Sequence, residues 1–361
     1  MRYVLIGCGR ISTNHVKAAT ANKLEIVGVS DLREEQMERV LALHGLEKDA
    51  SIRRETDYRR LLDETKPELA AIATESGSHA SIALDCIARG INVIIEKPLA
   101  MSMADANRIV DAARQRDVRV AACHQNRFNV AVQKMRGALE AGRFGRLSHG
   151  SIHVRWNRNR AYYEQAPWRG TWAEDGGALM NQCIHGIDLL RWTFGRPLRL
   201  TAATRQVCHP YLEAEDVGMA VVEFESGAIA TIEGTTNVYP RNLEECLYVF
   251  GEKGTVKIGG TSTNNLDVWR FADSASADEG LEGLQEATSN VYGNGHTALY
   301  RDVIEAVREK RDPYVTAEDG RAALEMVLAI YKSQRTAAPV TFPLGDFAST
   351  DMRGEFGEGS L

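Results

Sequence analysis

Over its first third the chain alternates apolar, strand-like runs with helical stretches, and that alternation rules out most folds. Residues 3–6, 25–30, 68–74, 92–96 and 118–123 read as strands, and 14–21, 33–44, 78–89 and 102–116 as helices. Ser102-Met103-Ala104-Asp105 resembles a capping box at the start of the last of these. Strand and helix in strict turn predict a parallel, doubly wound sheet with helices on both faces. Ligands of such sheets bind just beyond the carboxyl ends of the strands. The residues that follow each strand are therefore the ones to read for chemistry.

After the first strand comes Gly7-Cys8-Gly9-Arg10-Ile11-Ser12. Gly7 permits a tight turn, Gly9 lets backbone approach a pyrophosphate, and Ser12 is small where a helix must pack closely. The next helix offers its first N–H groups to phosphate. The second strand ends at Asp31, 22 residues after Gly9, near the spacing of a ribose-binding carboxylate. Such a carboxylate repels a 2′-phosphate, which favours NAD over NADP. Arg33 keeps NADP open, because an arginine can pair with that phosphate.

The fourth strand runs into Asn92-Val93-Ile94-Ile95-Glu96-Lys97-Pro98-Leu99. Pro98 cannot donate a ladder hydrogen bond, so the strand must stop there. Lys97 is then a cation at the exit of the sheet. Taken alone, an exposed loop lysine would read the same way.

Past residue 123 the pattern changes. Residues 130–142 form an amphipathic helix, and 147–156, 197–208, 217–225, 228–238, 243–250 and 254–259 read as strands. Helices are expected at about 177–193, 296–309 and 317–335. This predicts an open, mostly antiparallel sheet in a second, α+β domain. The expected domains are 1–123 and 124–344, with a polar, glycine-rich tail at 345–361 as an arm or partly disordered segment.

The second domain holds Trp168-Arg169-Gly170-Thr171-Trp172 and, further on, Gly176-Gly177 and Met180-Asn181-Gln182-Cys183-Ile184-His185-Gly186-Ile187-Asp188. On one helix Asn181, His185 and Asp188 share a face. His185 can act as a base near neutral pH, Asp188 can fix its tautomer, and Asn181 can orient a substrate hydroxyl. A core histidine satisfied by a neighbouring acid gives the same pattern.

With Gly7-x-Gly9, Glu96-Lys97-Pro98 and Gly176-Gly177 followed by His185-x-x-Asp188, almost the whole chain resembles the Gfo/Idh/MocA oxidoreductases. The resemblance implies an N-terminal Rossmann domain, a C-terminal domain with a large open sheet, and oxidation or reduction of sugars and cyclitols with NAD(P). It implies that Lys97 and His185 face the substrate, and that Pro98 follows a cis peptide bond. Many members carry an Asp where this chain has Asn181, which cannot take up a proton. Gln125-Asn126-Arg127, Trp168-Arg169-Gly170-Thr171-Trp172, Met180-Asn181-Gln182, Gly251-Glu252-Lys253-Gly254-Thr255-Val256 and Ser289-Asn290-Val291-Tyr292-Gly293-Asn294-Gly295-His296 are similar to the UDP-N-acetyl-2-amino-2-deoxy-D-glucuronate 3-dehydrogenases of that family. Those enzymes use NAD to make a 3-keto sugar nucleotide for surface polysaccharides.

The expected catalytic pair is then Lys97 and His185. Asn181, Arg127, Arg155, Arg169, Trp168 and Asp188 are expected at the substrate. Gly7, Gly9, Arg10, Ile11, Asp31, Thr74, His79, Glu96, Lys97 and Gln125 are expected at the cofactor, NAD. Arg158, Arg160, Trp156, Tyr162 and Tyr163 extend a basic and aromatic cluster suited to a diphosphate, a carboxylate and a uracil ring. An inositol or free-sugar dehydrogenase, and an NAD-binding sugar sensor without turnover, remain the alternatives.

Composition narrows the partners. Net charge is −6, and no general basic character points to nucleic acid. The six cysteines form no C-x-x-C pair, so no metal site is expected, and they read as core thiols. No apolar run approaches a membrane span and no signal peptide is seen, so a cytoplasmic protein is expected. An open sheet needs its outer face covered, so a homo-oligomer, a tetramer by resemblance, is expected.

Overall fold

The computed structural model of the chain describes residues 1–273, 278, 280–287 and 293–356. Residues 289–292 of the 289–296 motif, and the last five of the tail, lie outside them. The chain divides into two compact units. One comprises residues 1–100, 104–124 and 296–321; the other comprises 101–103, 125–295 and 322–361.

The first unit contains β1 (Arg2–Ile6), α1 (Ser12–Ala21), β2 (Glu25–Ser30), α2 (Glu34–Ala42), β3 (Arg53–Glu55), α3 (Tyr58–Thr65), β4 (Leu69–Ile72), α4 (His79–Ala88), β5 (Asn92–Ile95), α5 (Met103–Arg116, from its second residue) and β6 (Val120–Ala122). The strands form a sheet of order β3-β2-β1-β4-β5-β6, parallel throughout. Tyr3, Val4 and Leu5, Leu69 to Ile72 and Val93 to Ile95 are all buried, as continuous apolar strands covered on both faces must be. The chain crosses the sheet in opposite senses from β1, whose neighbours are β2 and β4. That is the switch point at which such sheets bind ligands.

β3 and α3 escape the sequence reading. Arg53-Arg54-Glu55 has no apolar period to betray a strand. It pairs with Gly28, Val29 and Ser30 at the sheet edge. Gly28 matters for packing: a Cβ there would come within 2.5 Å of Leu61 on α3.

The second unit contains α6 (Val130–Glu140), β7 (Leu147–Arg155), α7 (Arg160–Tyr163), α8 (Ala178–Asn181), α9 (Ile184–Phe194), β8 (Pro197–Arg205), β9 (Val217–Phe224), β10 (Ile229–Thr235), β11 (Glu244–Gly251), β12 (Gly254–Gly259), β13 (Asn265–Phe271) and β14 (Leu284–Gln285). Two long helices follow, α10 (Gly295–Glu309) and α11 (Ala317–Thr336), then β15 (Val340–Thr341). Nearly all of α10 belongs to the first unit, and most of α11 to the second.

The second sheet runs β14-β13-β12-β11-β7-β10-β9-β8-β15. Among the described residues only β7 and β10 of this sheet pair in parallel; the other pairs are antiparallel. α9 lies on β7 through Gly186, where a Cβ would stand 2.7 Å from Ile152. On the strands β9 and β10, Met219, Val221 and Ile229 are exposed although they alternate with buried neighbours.

Three expectations change. The single helix at 177–193 is two helices, because the carbonyl of Ala178 accepts both the Gln182 and the Cys183 N–H and the turn widens there. Asn181 thus ends α8, and His185 lies in the first turn of α9. Cys208 is exposed, unlike the other five cysteines, because it sits in the loop after β8. The segment 345–356 is anchored: Ser349 and Met352 are buried, and the Ser349 hydroxyl donates to the Trp172 carbonyl at 2.6 Å. No helix among the described residues is long and apolar enough to cross a membrane.

Candidate active site

In the first unit the expected cofactor residues follow the carboxyl ends of β1, β2, β4 and β5. Gly7 is held at φ +94°, and a Cβ there would lie 2.5 Å from the Ala73 carbonyl. No other residue fits that turn. A Cβ on Gly9 would meet nothing within 4 Å, so its backbone faces open space. α1 begins at Ser12 with no side-chain cap and no acid in its first turn. Its N–H groups and positive dipole end therefore suit an anion. Arg10 and Ile11 complete this turn, and Arg10 is exposed.

Asp31 stands beside the turn. One carboxylate oxygen accepts the Cys8 N–H at 2.8 Å and the other the Arg33 N–H at 2.9 Å. Each oxygen keeps a lone pair for a further donor. An open glycine turn, an uncapped helix N-terminus and an oriented carboxylate fit a dinucleotide. Thr74 follows β4, and its carbonyl stands 3.3 Å from His79 Nε2. His79 Nδ1 bonds the Pro98 carbonyl at 2.8 Å, and burial depresses its basicity.

Glu96 and Lys97 follow β5. The Lys97–Pro98 bond is cis. Glu96 is buried, and Oε2 accepts the Lys97 backbone N–H at 3.2 Å. Its other oxygen faces His15 Nε2 at 3.0 Å and His296 Nε2 at 3.5 Å. Burial opposes the charge on Glu96, but the hydrogen bond from His15 and the nearby His296 ring outweigh it and hold the carboxyl well below its usual range. Neither histidine was legible as a site residue; His15 reads as one more helical position.

The second unit carries the other group. His185 is buried in the first turn of α9. Asn181 donates to Asp175, a buried acid that also accepts the Gly170 N–H at 2.8 Å. The Asn181 oxygen in turn accepts from Gln182 at 3.0 Å. Asp175 and Gln182 were not expected at the site. Asp188 accepts a bidentate pair of bonds from Arg127, at 2.7 and 2.6 Å, and both residues are almost wholly buried. The Arg127 guanidinium also lies over Trp192 at 4.8 Å. Gln125, two residues earlier, is buried in the same unit.

The arginine cluster divides. Arg155 is clamped by Glu233 and Glu244, at 2.5 and 2.6 Å, and Arg160 pairs with Glu164 at 2.6 Å. Arg158 lies over Trp156 and Tyr162 at 4.9 and 5.0 Å. Arg169 lies over Tyr162 and Trp168 at 4.3 and 4.5 Å and donates to the Tyr162 hydroxyl at 2.6 Å. Among the described residues, Arg158 and Arg169 have no carboxylate partner.

The loop into α8 rests on Glu215. Gly177 has no room for a side chain, since a Cβ would overlap the Glu215 carboxylate. Glu215 accepts the Leu179 N–H at 2.8 Å and the Tyr331 hydroxyl at 3.0 Å. Burial still pushes its carboxyl up to about 8, and burial alone does the same to Glu245. An acid whose native value exceeds its unfolded value of 4.5 binds more protons folded than unfolded. Its stabilising contribution is complete below pH 4.5 and is lost as pH rises to about 8. From pH 5 to 9 the stability of Glu215→Gln should therefore lose a few kcal/mol less with rising pH than that of the wild type, as read by melting curves of both. An unchanged slope in Glu215→Gln would show that the carboxyl is ionised throughout.

Comparison with known proteins gives the family. Residues 1–124 match the model "Oxidoreductase family, NAD-binding Rossmann fold", and residues 136–342 match "Oxidoreductase family, C-terminal alpha/beta domain". The WlbA dehydrogenase from Bordetella pertussis, solved with NADH and UDP-GlcNAcA, is 34% identical, with 96% of this chain and 98% of that one covered and a TM-score of 0.87. The WlbA dehydrogenase from Chromobacterium violaceum, solved with the same two ligands, is 32% identical, with 96% of each chain covered and a TM-score of 0.86. The myo-inositol 2-dehydrogenase of Thermotoga maritima is 25% identical over 92% of this chain and 96% of its own length. With the glycine turn, the oriented Asp31 and both domain models in place, the chain belongs to the Gfo/Idh/MocA oxidoreductase family as an NAD-dependent dehydrogenase acting on CH–OH.

Proposed function

We propose that the chain oxidises the C3 hydroxyl of a UDP-linked, N-acetylated amino-sugar uronic acid to the 3-keto sugar, for surface polysaccharide. The observation that carries this reading is the likeness, across 96% of the chain, to a dehydrogenase solved with NADH and UDP-GlcNAcA. The array of Arg158, Tyr162, Arg169 and Trp168 supports it, because two guanidinium groups with no carboxylate partner among the described residues, set among aromatic rings, suit a diphosphate and a base.

Bound NAD supplies the hydride acceptor. Gly9 and the start of α1 hold its pyrophosphate, and Asp31 its ribose. His185 takes the proton from the reacting hydroxyl. Lys97 donates to the same oxygen and stabilises the charge that grows there. Asn181, oriented by Asp175, positions the sugar. Arg127 and Asp188 cancel each other's charge and serve by holding α9 in place.

The test is direct. Purified protein with NAD and UDP-N-acetylglucosaminuronate should generate NADH absorbance, and myo-inositol should not. Turnover of inositol alone would move the substrate to the free cyclitols, and NAD binding with no turnover of either would make the chain a sensor. Asp31→Ala should weaken NAD binding and narrow its preference over NADP, as read by titrating both cofactors. A wild type that prefers NADP would defeat the ribose argument. We also assign a homo-oligomer, a tetramer, because Met219, Val221 and Ile229 leave apolar sheet surface uncovered. Sedimentation should then give a multiple of 39.8 kDa, and a monomer at micromolar concentration would remove this part.

A further inference from the structure

A buried polar chain ends at the Lys97 backbone. Tyr3 and Tyr300 share a hydrogen bond of 2.9 Å, and the Tyr300 hydroxyl stands 2.6 Å from His15 Nδ1. His15 Nε2 is 3.0 Å from Glu96 Oε1, and Glu96 Oε2 accepts the Lys97 N–H at 3.2 Å. Tyr3, His15, Glu96, His296 and Tyr300 are all buried. A carboxylate only accepts, so His15 Nε2–H donates to Glu96, and the other ring nitrogen bonds the Tyr300 hydroxyl, which shares a bond with Tyr3. His296 closes the other side, its ring edge-on to His15 at 5.5 Å and its Nε2 3.5 Å from the same carboxylate oxygen. β1, α1, α10 and the end of β5 thus converge on one carboxylate, the one that holds the backbone from which the Lys97 side chain departs.

We propose that His15 and His296 are positioning residues that act through Glu96 on Lys97. They fix the Glu96 carboxylate, Glu96 fixes the Lys97 N–H, and the ammonium is thereby aimed. The inference rests on the reading of Lys97 as the group that stabilises the reacting oxygen. The rival occupant is an ion. His15, Glu96, Cys123 and His296 each offer one ligand atom, and the four atoms lie within 4.8 Å of one another. The hydrogen-bond chain uses the same lone pairs, so chain and ion exclude each other.

The experiment is a double-mutant cycle on the purified enzyme with NAD and UDP-N-acetylglucosaminuronate. His15→Leu and His296→Leu should each lower kcat about 10- to 100-fold, the range expected when a reacting group is misplaced by about an ångström. KM and the NAD dissociation constant should stay within about twofold. In a Lys97→Ala background the same substitutions should cost nothing more, because the group they aim is gone. His296→Gln, which keeps a donor, should restore most of kcat. If His15→Leu does not fold, Glu96→Gln carries the same cycle, since it keeps the volume and alters only the bonds. Losses that multiply in the Lys97→Ala background, or full kcat in His15→Leu, would overturn this proposal while leaving Lys97 in its role. A Lys97→Ala enzyme as fast as wild type would overturn the role and the proposal together. Stoichiometric zinc on elemental analysis would overturn it as well, because an ion would then take the bonds.

Discussion

His185→Asn should fold, bind NAD and sugar nucleotide, and lose turnover by about 10²–10⁴-fold, the usual worth of a general base. Asparagine keeps much of the size and some of the hydrogen bonding of the imidazole, but it cannot accept a proton. The histidine is buried in the first turn of α9, where Gly186 lies close against β7, so its backbone is fixed by the helix and not by the ring. Stopped-flow NADH absorbance with both ligands saturating reads the effect on kcat alone. Lys97→Ala should also slow the reaction, by removing the charge beside the reacting oxygen. The two losses should fall short of multiplying, since the proposed roles have both groups act on one oxygen. Normal turnover in His185→Asn with a dead Lys97→Ala would exchange the roles: Lys97 would be the base and His185 would only position the sugar.

Arg127→Ala should destabilise the protein by about 3–5 kcal/mol. The guanidinium and the Asp188 carboxylate are both out of water and joined by two short bonds. Truncating the arginine takes two short charge-assisted bonds and the facing cation from a buried carboxylate, and the cost of weakening the support of that charge dominates the loss. Lost stacking on Trp192 adds to it. Removing both charges in Arg127→Met/Asp188→Leu should recover most of the stability, because a buried pair roughly balances its own desolvation. Chemical denaturation of the two variants separates the cases. A double variant as unstable as Arg127→Ala would mean that the pair contributes through geometry and not through the penalty on the survivor. Arg127 lies just after the start of the second unit, in a short turn at Gln125–Phe128, and Asp188 on α9. The pair therefore pins the helix that carries His185.

Much of the architecture lay in the residue order. Strand–helix alternation, G-x-G and an acid 22 residues later determine a parallel sheet and the place of a dinucleotide, because those signals are local: each needs only its own turn, strand or helix start. The structure realises them as a β3-β2-β1-β4-β5-β6 sheet with Asp31 bonded to the glycine turn. What stayed hidden depends on partners far apart in sequence. Arg127 looks like a cation for substrate until Asp188, 61 residues away, takes its Nε and Nη2 groups in a bidentate pair. Arg155 looks the same until β10 and β11 bring Glu233 and Glu244 beside it. His15 is one helical residue among others until Glu96 and His296 close on it. β3 has no apolar period and exists only because the edge of β2 is there to pair with. Sequence alone determined most elements of the parallel sheet and where their ends carry chemistry; only tertiary structure decided the edge strand, the break at Ala178 and which charges are paired, because a charge is cancelled by whatever folding places within about 4 Å of it, and that distance has no counterpart along the chain.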